Sequence, residues 1–246
     1  RKMNKAISNS SLFITISEEM RSVYKDIFGK NSIIALNMAE SMKTVPDEPN
    51  KLKSGPISLI YTGGLHFKRY NTLSLLAEAI RKYNNLSGST KVFLSIYSIQ
   101  EPSKRVLKRL NIQGASSFFG GLNSEELKIK LNEADILVHV ESFDQKSIES
   151  TKLSISTKIP EYLSMGKPIL AIGPNEVASM KYLSDCSFCI NKINSIYEGL
   201  VTLINASELQ KQLSGDSITK YNRNHDGCRL LKSFTDKILG VYRGVN

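Results

Sequence analysis

The residues best suited to bind a ligand lie at positions 156–171, which read STKIPEYLSMGKPILA. Ser156 or Thr157 can cap a helix there, and the first-turn amides of a helix have no partner within it. Together with the positive end of the helix dipole, these amides predict a site for an anion such as phosphate. Lys158 is unfavourable beside that dipole unless an anion is present. Lys158 and Glu161 share a helix face, so the alternative is a surface ion pair worth about 0.2–0.5 kcal/mol.

A second candidate is a glycine loop at residues 61–69, which reads YTGGLHFKR. Gly63 and Gly64 allow the backbone to approach a ligand closely, and Lys68 and Arg69 follow where a phosphate would lie. A tight turn carrying solvated bases is the alternative interpretation. The dinucleotide fingerprint G-x-G-x-x-G is absent from this loop, which disfavours an NAD-dependent dehydrogenase.

A third group of polar residues follows the apolar run at 136–140 and includes His139 and Glu141. His139 lies inside the run, so we expect a packed core histidine rather than a catalyst. The polar stretch 141–156 predicts a loop that is either a lid or an insertion. Cys186 and Cys189 have C-x-x-C spacing, but there is no second pair, and we expect them to be small apolar residues.

The elements that position these residues are predicted by short apolar runs alternating with helical stretches, which is typical of an α/β fold. The apolar runs are continuous, as expected for strands covered on both faces. We therefore predict a Rossmann-like parallel sheet flanked by helices at residues 57–225. In such sheets ligands bind beyond the carboxyl ends of the strands, where all three groups lie. Residues 41–56, polar and proline-containing, predict a linker between residues 1–40 and this domain, and residues 226–246 predict a final helix.

The composition limits the classes of protein to which this chain can belong. The 246 residues are 41% hydrophobic and 23% charged, which excludes a disordered or collagen-like chain. Three cysteines are too few for a disulfide framework, so we expect a reducing, cytoplasmic compartment. The first residue is Arg1 rather than Met, and we expect a fragment of a longer polypeptide. The net charge of +10 favours anionic partners, such as phosphates, nucleic acid or an acidic membrane, without choosing among them.

Several of these segments resemble one family. Residues 156–171 resemble the motif of the C-terminal, nucleotide-sugar-binding domain of GT-B glycosyltransferases, in which a capped helix carrying a Glu is followed by Gly-x-Pro and an apolar strand. The glycine loop is similar to the loop that opens that domain, and FGGLNSEEL at 119–127, followed by NEADILV at 132–138, resembles its middle. Residues 11–40 resemble the last strand, helix and strand of the N-terminal domain. The resemblance covers nearly the whole chain, in the family's order.

The resemblance implies a glycosyltransferase that takes a sugar from a nucleotide-diphosphate sugar and transfers it to a surface polysaccharide or glycolipid. In the family the acceptor is bound by an N-terminal domain, of which residues 1–40 would be a remnant and to which residues 226–246 would return. Glu161 would bind the ribose hydroxyls, Lys158 and Arg69 would hold the diphosphate without a metal or other cofactor, and residues 119–121 would lie against the base. The nucleotide-sugar-binding residues implied in this way are Gly63, Gly64, Arg69, Gly120, Ser156, Thr157, Lys158 and Glu161.

One departure from the family leaves the reaction open. Retaining enzymes often carry a Glu eight positions before the ribose Glu, and Leu153 stands there in this chain. Retention or inversion and the catalytic residues therefore stay unassigned, and a non-catalytic nucleotide- or nucleotide-sugar-binding module is the alternative function. Specific nucleic-acid binding is disfavoured because the basic residues are not interleaved with aromatic ones. The positive charge instead fits peripheral contact with an anionic membrane at its inner face, where a lipid-linked acceptor would lie.

Overall fold

A computed structural model describes residues 2–40, 55–89 and 91–242. In these residues a six-stranded parallel sheet has the strand order β5-β4-β3-β6-β7-β8, and a separate parallel pair, β1 and β2, precedes it. The strands are β1 (Ile14–Thr15), β2 (Ile33–Ile34), β3 (Ile57–Thr62), β4 (Val92–Tyr97), β5 (Ser116–Phe118), β6 (Ile136–Val140), β7 (Ile169–Ile172) and β8 (Phe188–Ile190).

Helices cover both faces of the sheet. They are α1 (Lys2–Asn9), α2 (Glu18–Phe28), α3 (Arg69–Ser87), α4 (Lys104–Leu110), α5 (Ser124–Glu133), α6 (Gln145–Thr151), α7 (Lys158–Ser164), α8 (Ala178–Leu183), α9 (Ile196–Asn205), α10 (Ser207–Asn224) and α11 (Gly227–Tyr242). Among the residues just delimited, no helix is both long and apolar enough to cross a bilayer. The predicted Rossmann-like parallel sheet flanked by helices is confirmed.

One predicted element is wrong. The polar stretch 141–156, predicted to be a loop, contains helix α6. Asp144 caps this helix by accepting a hydrogen bond from the Ser147 amide at 3.2 Å. The helix has only seven residues and buries few apolar groups, so its sequence carries almost no helical periodicity. The predicted linker lies mostly outside the described residues, and the division at 1–40, 41–56, 57–225 and 226–246 stays a prediction.

Helix α7 is fixed against the centre of the sheet. Ile159 and Leu163 face the core, as their spacing predicts, and are fully buried. Tyr162 is also buried, and its hydroxyl accepts a hydrogen bond from the Thr62 amide at 2.8 Å. Because Thr62 ends β3, this bond ties the middle of α7 to the carboxyl end of the central strand.

We predict that Tyr162→Phe lowers the free energy of unfolding by about 1–3 kcal/mol, because it leaves the buried Thr62 amide without an acceptor. Urea unfolding followed by circular dichroism measures the change. Tyr197→Phe is the matched control, since its half-buried ring contacts Lys82 and no hydrogen bond of its hydroxyl occurs in the parts of the chain that the structure covers. Equal effects of the two substitutions would contradict the assigned bond.

A buried histidine fixes the segment that leads out of the β1–β2 unit. The Nδ1 atom of His225 lies 2.6 Å from the Asn37 carbonyl oxygen, and Nε2 lies 2.9 Å from the Tyr182 hydroxyl. A carbonyl only accepts, so Nδ1 carries the proton and Nε2 accepts from Tyr182. The Tyr221 hydroxyl donates to the Ala39 carbonyl at 2.7 Å. These bonds attach residues 37–39 to the end of α10.

The environment of His225 favours the neutral ring. Burial is the largest effect and lowers the pKa of His225 below its ordinary value of 6.5; the charge of Lys220 lowers it further, although the bond to Asn37 opposes the shift. The unfolded chain therefore binds the proton more readily than the folded one. The stability that depends on the neutral ring is present above about pH 6.5 and is lost as the pH falls through the folded-state pKa.

We predict that the free energy of unfolding falls between about pH 7.5 and about pH 5.5, and that His225→Gln reduces this dependence because glutamine does not titrate. Urea unfolding of both proteins across this range measures the two slopes. Identical slopes would mean that the neutral form of His225 contributes nothing to the fold.

Candidate functional site

Two adjoining cavities open at the carboxyl edge of the sheet. One has a volume of about 380 Å³ and the other of about 340 Å³. We call the first the apolar lobe and the second the polar lobe. The residues that line both lobes, here called the junction, are Thr62, Gly63, Gly64, His66 and Lys158. Because the lobes share this wall, they form one elongated site across the end of β3.

The apolar lobe is bounded by Tyr97, Ile99, Leu122 and Leu127. The Tyr97 ring stacks on the Phe119 ring with centroids 5.3 Å apart and an interplanar angle of 24°. Because Phe119 covers one face of the Tyr97 ring, the lobe itself is bounded by one aromatic side chain among aliphatic ones, and it suits a ligand group of low polarity.

Hydroxyl groups are the commonest polar groups that line the polar lobe. The hydroxyl side chains that line it without lining the apolar lobe are Ser150, Thr151, Ser154, Ser156, Thr157, Tyr61, Tyr162 and Ser179. Hydroxyls both donate and accept hydrogen bonds, so this lobe suits a ligand group that is itself rich in hydroxyls.

The glycines of the loop make room for protein side chains. A Cβ on Gly63 would lie 2.7 Å from the Tyr61 hydroxyl oxygen, and a Cβ on Gly64 would overlap the His66 ring. The Tyr61 hydroxyl in turn donates to the Gly64 carbonyl at 2.7 Å. The prediction that Gly63 and Gly64 allow a ligand to approach stays a prediction, but the structure gives both glycines a second reason to be there.

Arg69 is held by a buried carboxylate. Glu141 is 1% exposed, and its Oε2 accepts hydrogen bonds from Arg69 Nη2 at 2.9 Å and from Nε at 3.1 Å. Burial opposes ionisation of Glu141 most strongly, but the neighbouring His139 and Arg69 outweigh it and hold the pKa of Glu141 below its ordinary value. His139 is buried, as expected, with Nε2 at 3.2 Å from Glu141 Oε1 and without a hydrogen bond of good geometry. Arg69 therefore lines the polar lobe with its charge already paired.

Lys158 and Glu161 form the ion pair that their spacing allows. The lysine Nζ lies 2.9 Å from Glu161 Oε2 and 3.2 Å from Oε1, and both side chains are partly exposed. Thr157 makes no capping bond; instead Ser156 Oγ accepts from the Lys158 amide at 3.4 Å, and the Ser156 carbonyl accepts from the Ile159 amide at 3.1 Å. Two first-turn amides of α7 are thus occupied, so less of the helix end is available to an anion than the sequence predicts.

The predicted binding residues fall into three groups. Those lining both lobes are Gly63, Gly64 and Lys158; those lining only the polar lobe are Arg69, Ser156 and Thr157; those lining neither are Gly120 and Glu161. Gly120 has φ +83°, and its carbonyl accepts from the Ser98 amide at 2.8 Å beside the apolar lobe. Sequence reasoning assigned no binding role to His66 or Tyr97. Tyr97 ends a strand at the ligand edge, and that position alone could have identified it.

Two further features of the described residues bear on the site. Within residues 2–40, 55–89 and 91–242, no group of three or more His, Cys, Asp or Glu side chains could hold a metal ion. A larger cavity, of about 950 Å³, lies beside α2 and is lined by charges of both signs, including Glu19 and Lys181. Its described lining residues include none that directly follows β3, β4 or β6, and because ligands of this fold bind beyond the ends of the strands, the two-lobed site is the better candidate.

We predict that Arg69→Met lowers the free energy of unfolding by about 3–5 kcal/mol near neutral pH, because it leaves the Glu141 charge buried without a partner. Adding Glu141→Gln should recover part of the loss. Arg81→Met on the same helix is the matched control: it removes an exposed pair with Glu78 and should change stability by no more than about 0.5 kcal/mol. A loss no larger than that control would contradict the buried pair.

No protein-family model matches the chain. No curated protein sequence matches it either. Solved structures do match, at low sequence identity. WaaG, a glycosyltransferase involved in lipopolysaccharide biosynthesis, is 15% identical with a TM-score of 0.62, over 85% of this chain and 58% of that one.

Two other matches carry bound ligands. HepE of Anabaena, in complex with UDP and glucose, is 13% identical with a TM-score of 0.71, over 94% of this chain and 64% of that one. The pneumococcal O-GlcNAc transferase GtfA, in complex with UDP and GlcNAc, is 10% identical with a TM-score of 0.67, over 98% of this chain and 47% of that one. This chain therefore spans about half to two thirds of the length of these structures, and it has the fold of the GT-B glycosyltransferases.

Proposed function

We propose that this chain is the donor-binding part of a glycosyltransferase that uses a uridine-diphosphate sugar. In this proposal the base lies in the apolar lobe, the diphosphate at the junction and the sugar in the polar lobe. The observation that carries it is the junction itself, where a cation lies between an aromatic cavity and a hydroxyl-lined cavity. A nucleotide sugar has the same order of chemistries along its length.

The apolar lobe suits the base for reasons of shape and polarity. Tyr97, Leu122 and Leu127 give the lobe an apolar lining, and the Phe119 ring that stacks on Tyr97 offers its outer face beside them. Phe119 is 53% exposed in the free chain. A base that covered it would bury apolar surface, which favours binding by roughly 25 cal/mol for each Å² removed from water.

The diphosphate is the group that leaves when the sugar is transferred, so its negative charge must be stabilised. Lys158 supplies a cation at the junction. Its pair with Glu161 is three residues apart and partly exposed, and such pairs contribute only about 0.2–1 kcal/mol. A diphosphate can therefore displace Glu161 from Lys158 at little cost, and the released carboxylate is then free to accept hydrogen bonds from the ribose hydroxyls.

The matched structures support the nature of the donor and suggest the acceptor. HepE and GtfA are described in complex with UDP and a sugar, and WaaG as acting in lipopolysaccharide biosynthesis. By extension we propose a UDP-sugar donor and a polysaccharide or lipid-linked acceptor, reached by peripheral contact with an anionic membrane. This proposal for the acceptor, and for any catalytic group that a further domain supplies, concerns the whole protein and not this chain alone.

We predict that the chain binds UDP, and that Lys158→Gln weakens UDP binding by about tenfold or more while leaving uridine binding unchanged, because only UDP carries phosphates. Glu161→Gln should weaken uridine binding, because it removes an acceptor for the ribose hydroxyls, and should weaken UDP binding by a smaller factor, because it also frees Lys158 for the phosphates. Calorimetry for UDP and NMR titration for uridine measure the four ratios.

Two substitutions serve as controls for this experiment. Lys104→Gln removes another cation from the first position of a short helix, and Glu208→Gln breaks another exposed ion pair of the same spacing, with Lys211. Neither should change either affinity. Absence of UDP binding by the unaltered chain, or equal loss of uridine and UDP in Lys158→Gln, would refute the proposal. If the intact protein transfers sugar and Lys158→Gln abolishes that transfer, the protein is an enzyme and not a non-catalytic binding module.

A further inference from the structure

His66 occupies a distinctive position at the junction. It follows the glycine loop, lines both lobes and is exposed in the free chain. We infer that His66 donates a hydrogen bond from Nδ1 to the anionic group that bridges the two lobes, which on the proposed function is the donor's diphosphate. In this arrangement Arg69 and Glu141 are positioning residues that orient the imidazole.

The protonation of the ring follows from its partner. His66 Nε2 lies 3.1 Å from Arg69 Nη1. A guanidinium group donates and never accepts, so Nε2 is the unprotonated acceptor and Nδ1 carries the hydrogen. Burial of the ring and then the charge of Arg69 lower the pKa of His66, which is consistent with a neutral ring. Across the described ranges, Nδ1 makes no hydrogen bond, and it lies on the edge of the ring that faces Gly64, another residue of the junction.

The orientation of the ring is set from the core outwards. Glu141, buried at the end of β6, holds the Arg69 guanidinium by bonds to Nε and Nη2. These bonds leave Nη1 to donate to His66. Glu141 therefore fixes the Arg69 guanidinium, and Nη1 of that guanidinium fixes the imidazole. Glu141 is itself buried away from solvent. This chain of contacts explains why an arginine beside the site is paired with an acid instead of being left free for the ligand.

The backbone around His66 is shaped to present the ring. Gly64 leaves the space that the imidazole occupies, since a Cβ there would overlap Cε1 and Nδ1. The two residues that follow, Phe67 and Lys68, have φ values of +53° and +55°, which are unusual for residues with large side chains. Such conformations persist only where surrounding contacts enforce them, and here the Arg69 amide donates to the His66 carbonyl at 3.3 Å and the Asn71 amide donates to the Lys68 carbonyl at 2.9 Å.

If His66 only supported the fold, its contact with Arg69 would matter more than a donor directed towards the junction. Two substitutions separate this structural role from the proposed binding role. The side-chain NH₂ of asparagine can take the place of Nδ1, whereas the amide of glutamine reaches the place of Nε2. His66→Asn thus keeps a donor towards the junction and loses the contact with Arg69. His66→Gln keeps a partner for Arg69 and loses the donor.

The test measures UDP and uridine binding to the full 246-residue chain and to these two variants. We expect His66→Gln to weaken UDP binding by about tenfold, the effect of one hydrogen bond to a charged group, and His66→Asn to weaken it by about threefold or less. Uridine binding should change by less than about twofold in both, because uridine has no phosphate. Circular dichroism and urea unfolding check that both variants fold.

Three outcomes would overturn the inference: equal UDP affinity in His66→Gln and the unaltered chain, a greater loss in His66→Asn than in His66→Gln, or equal losses for uridine and UDP. A failure of the proposed function is distinguishable, because the unaltered chain would then not bind UDP at all. Nitrogen-15 NMR of the imidazole gives an independent readout, with the Nδ1–H tautomer expected in the free chain and the Nε2–H tautomer contradicting the assignment.

The positioning role of Arg69 has its own readout. If Arg69 acts through His66, Arg69→Lys should weaken UDP binding in the unaltered background but much less in the His66→Gln background, because the group it orients is already gone. Additive losses in the double variant would show that Arg69 binds the phosphates directly and would overturn its assignment as a positioning residue.

Discussion

The architecture of the site depends on one buried carboxylate. Glu141 lies at the end of β6, and its bonds to Arg69 attach the start of α3, and with it the glycine loop, to the centre of the sheet. The Glu141 backbone contributes as well, because its carbonyl accepts a hydrogen bond from Thr72 Oγ1 at 2.8 Å. Breaking a buried pair by removing one partner costs several kcal/mol, far more than an exposed pair contributes. The loop is therefore rigid where it meets the sheet.

This difference between buried and exposed pairs determines how the site can respond to an anion. Each cation at its edge is paired in the free chain: Arg69 with Glu141, Lys158 with Glu161, and Lys68 with Asp144. The site thus carries little free positive charge, despite the net charge of +10. An anion that drew Arg69 away from Glu141 would leave a buried carboxylate without its arginine partner, whereas an anion can displace Glu161 from Lys158 at small cost. On the proposed function, Lys158 is therefore the cation that changes its partner, while Arg69 keeps its bonds to Glu141.

The sequence predicts the elements better than the contacts between them. β6 coincides with the apolar run at 136–140, because runs of fully buried apolar residues mark the strands of a parallel sheet. Helix α6 escaped prediction because it is short and polar. The Arg69–Glu141 pair could not be predicted from spacing, since the residues are 72 positions apart and meet only because β3 and β6 are neighbours. The His66 ring likewise fills the space beside Gly64 only because the backbone adopts particular angles there, and no pattern of residue types specifies those angles.

On the proposed function, the two lobes together bind one nucleotide sugar, with its phosphates at the junction. The most informative measurement is a crystal structure of the chain with UDP. We expect the uracil ring beside Tyr97 and Phe119, and the diphosphate within hydrogen-bonding distance of Lys158 and the His66 Nδ1 atom. UDP bound elsewhere, such as in the charged cavity beside α2, or bound with its phosphates away from the junction, would contradict it.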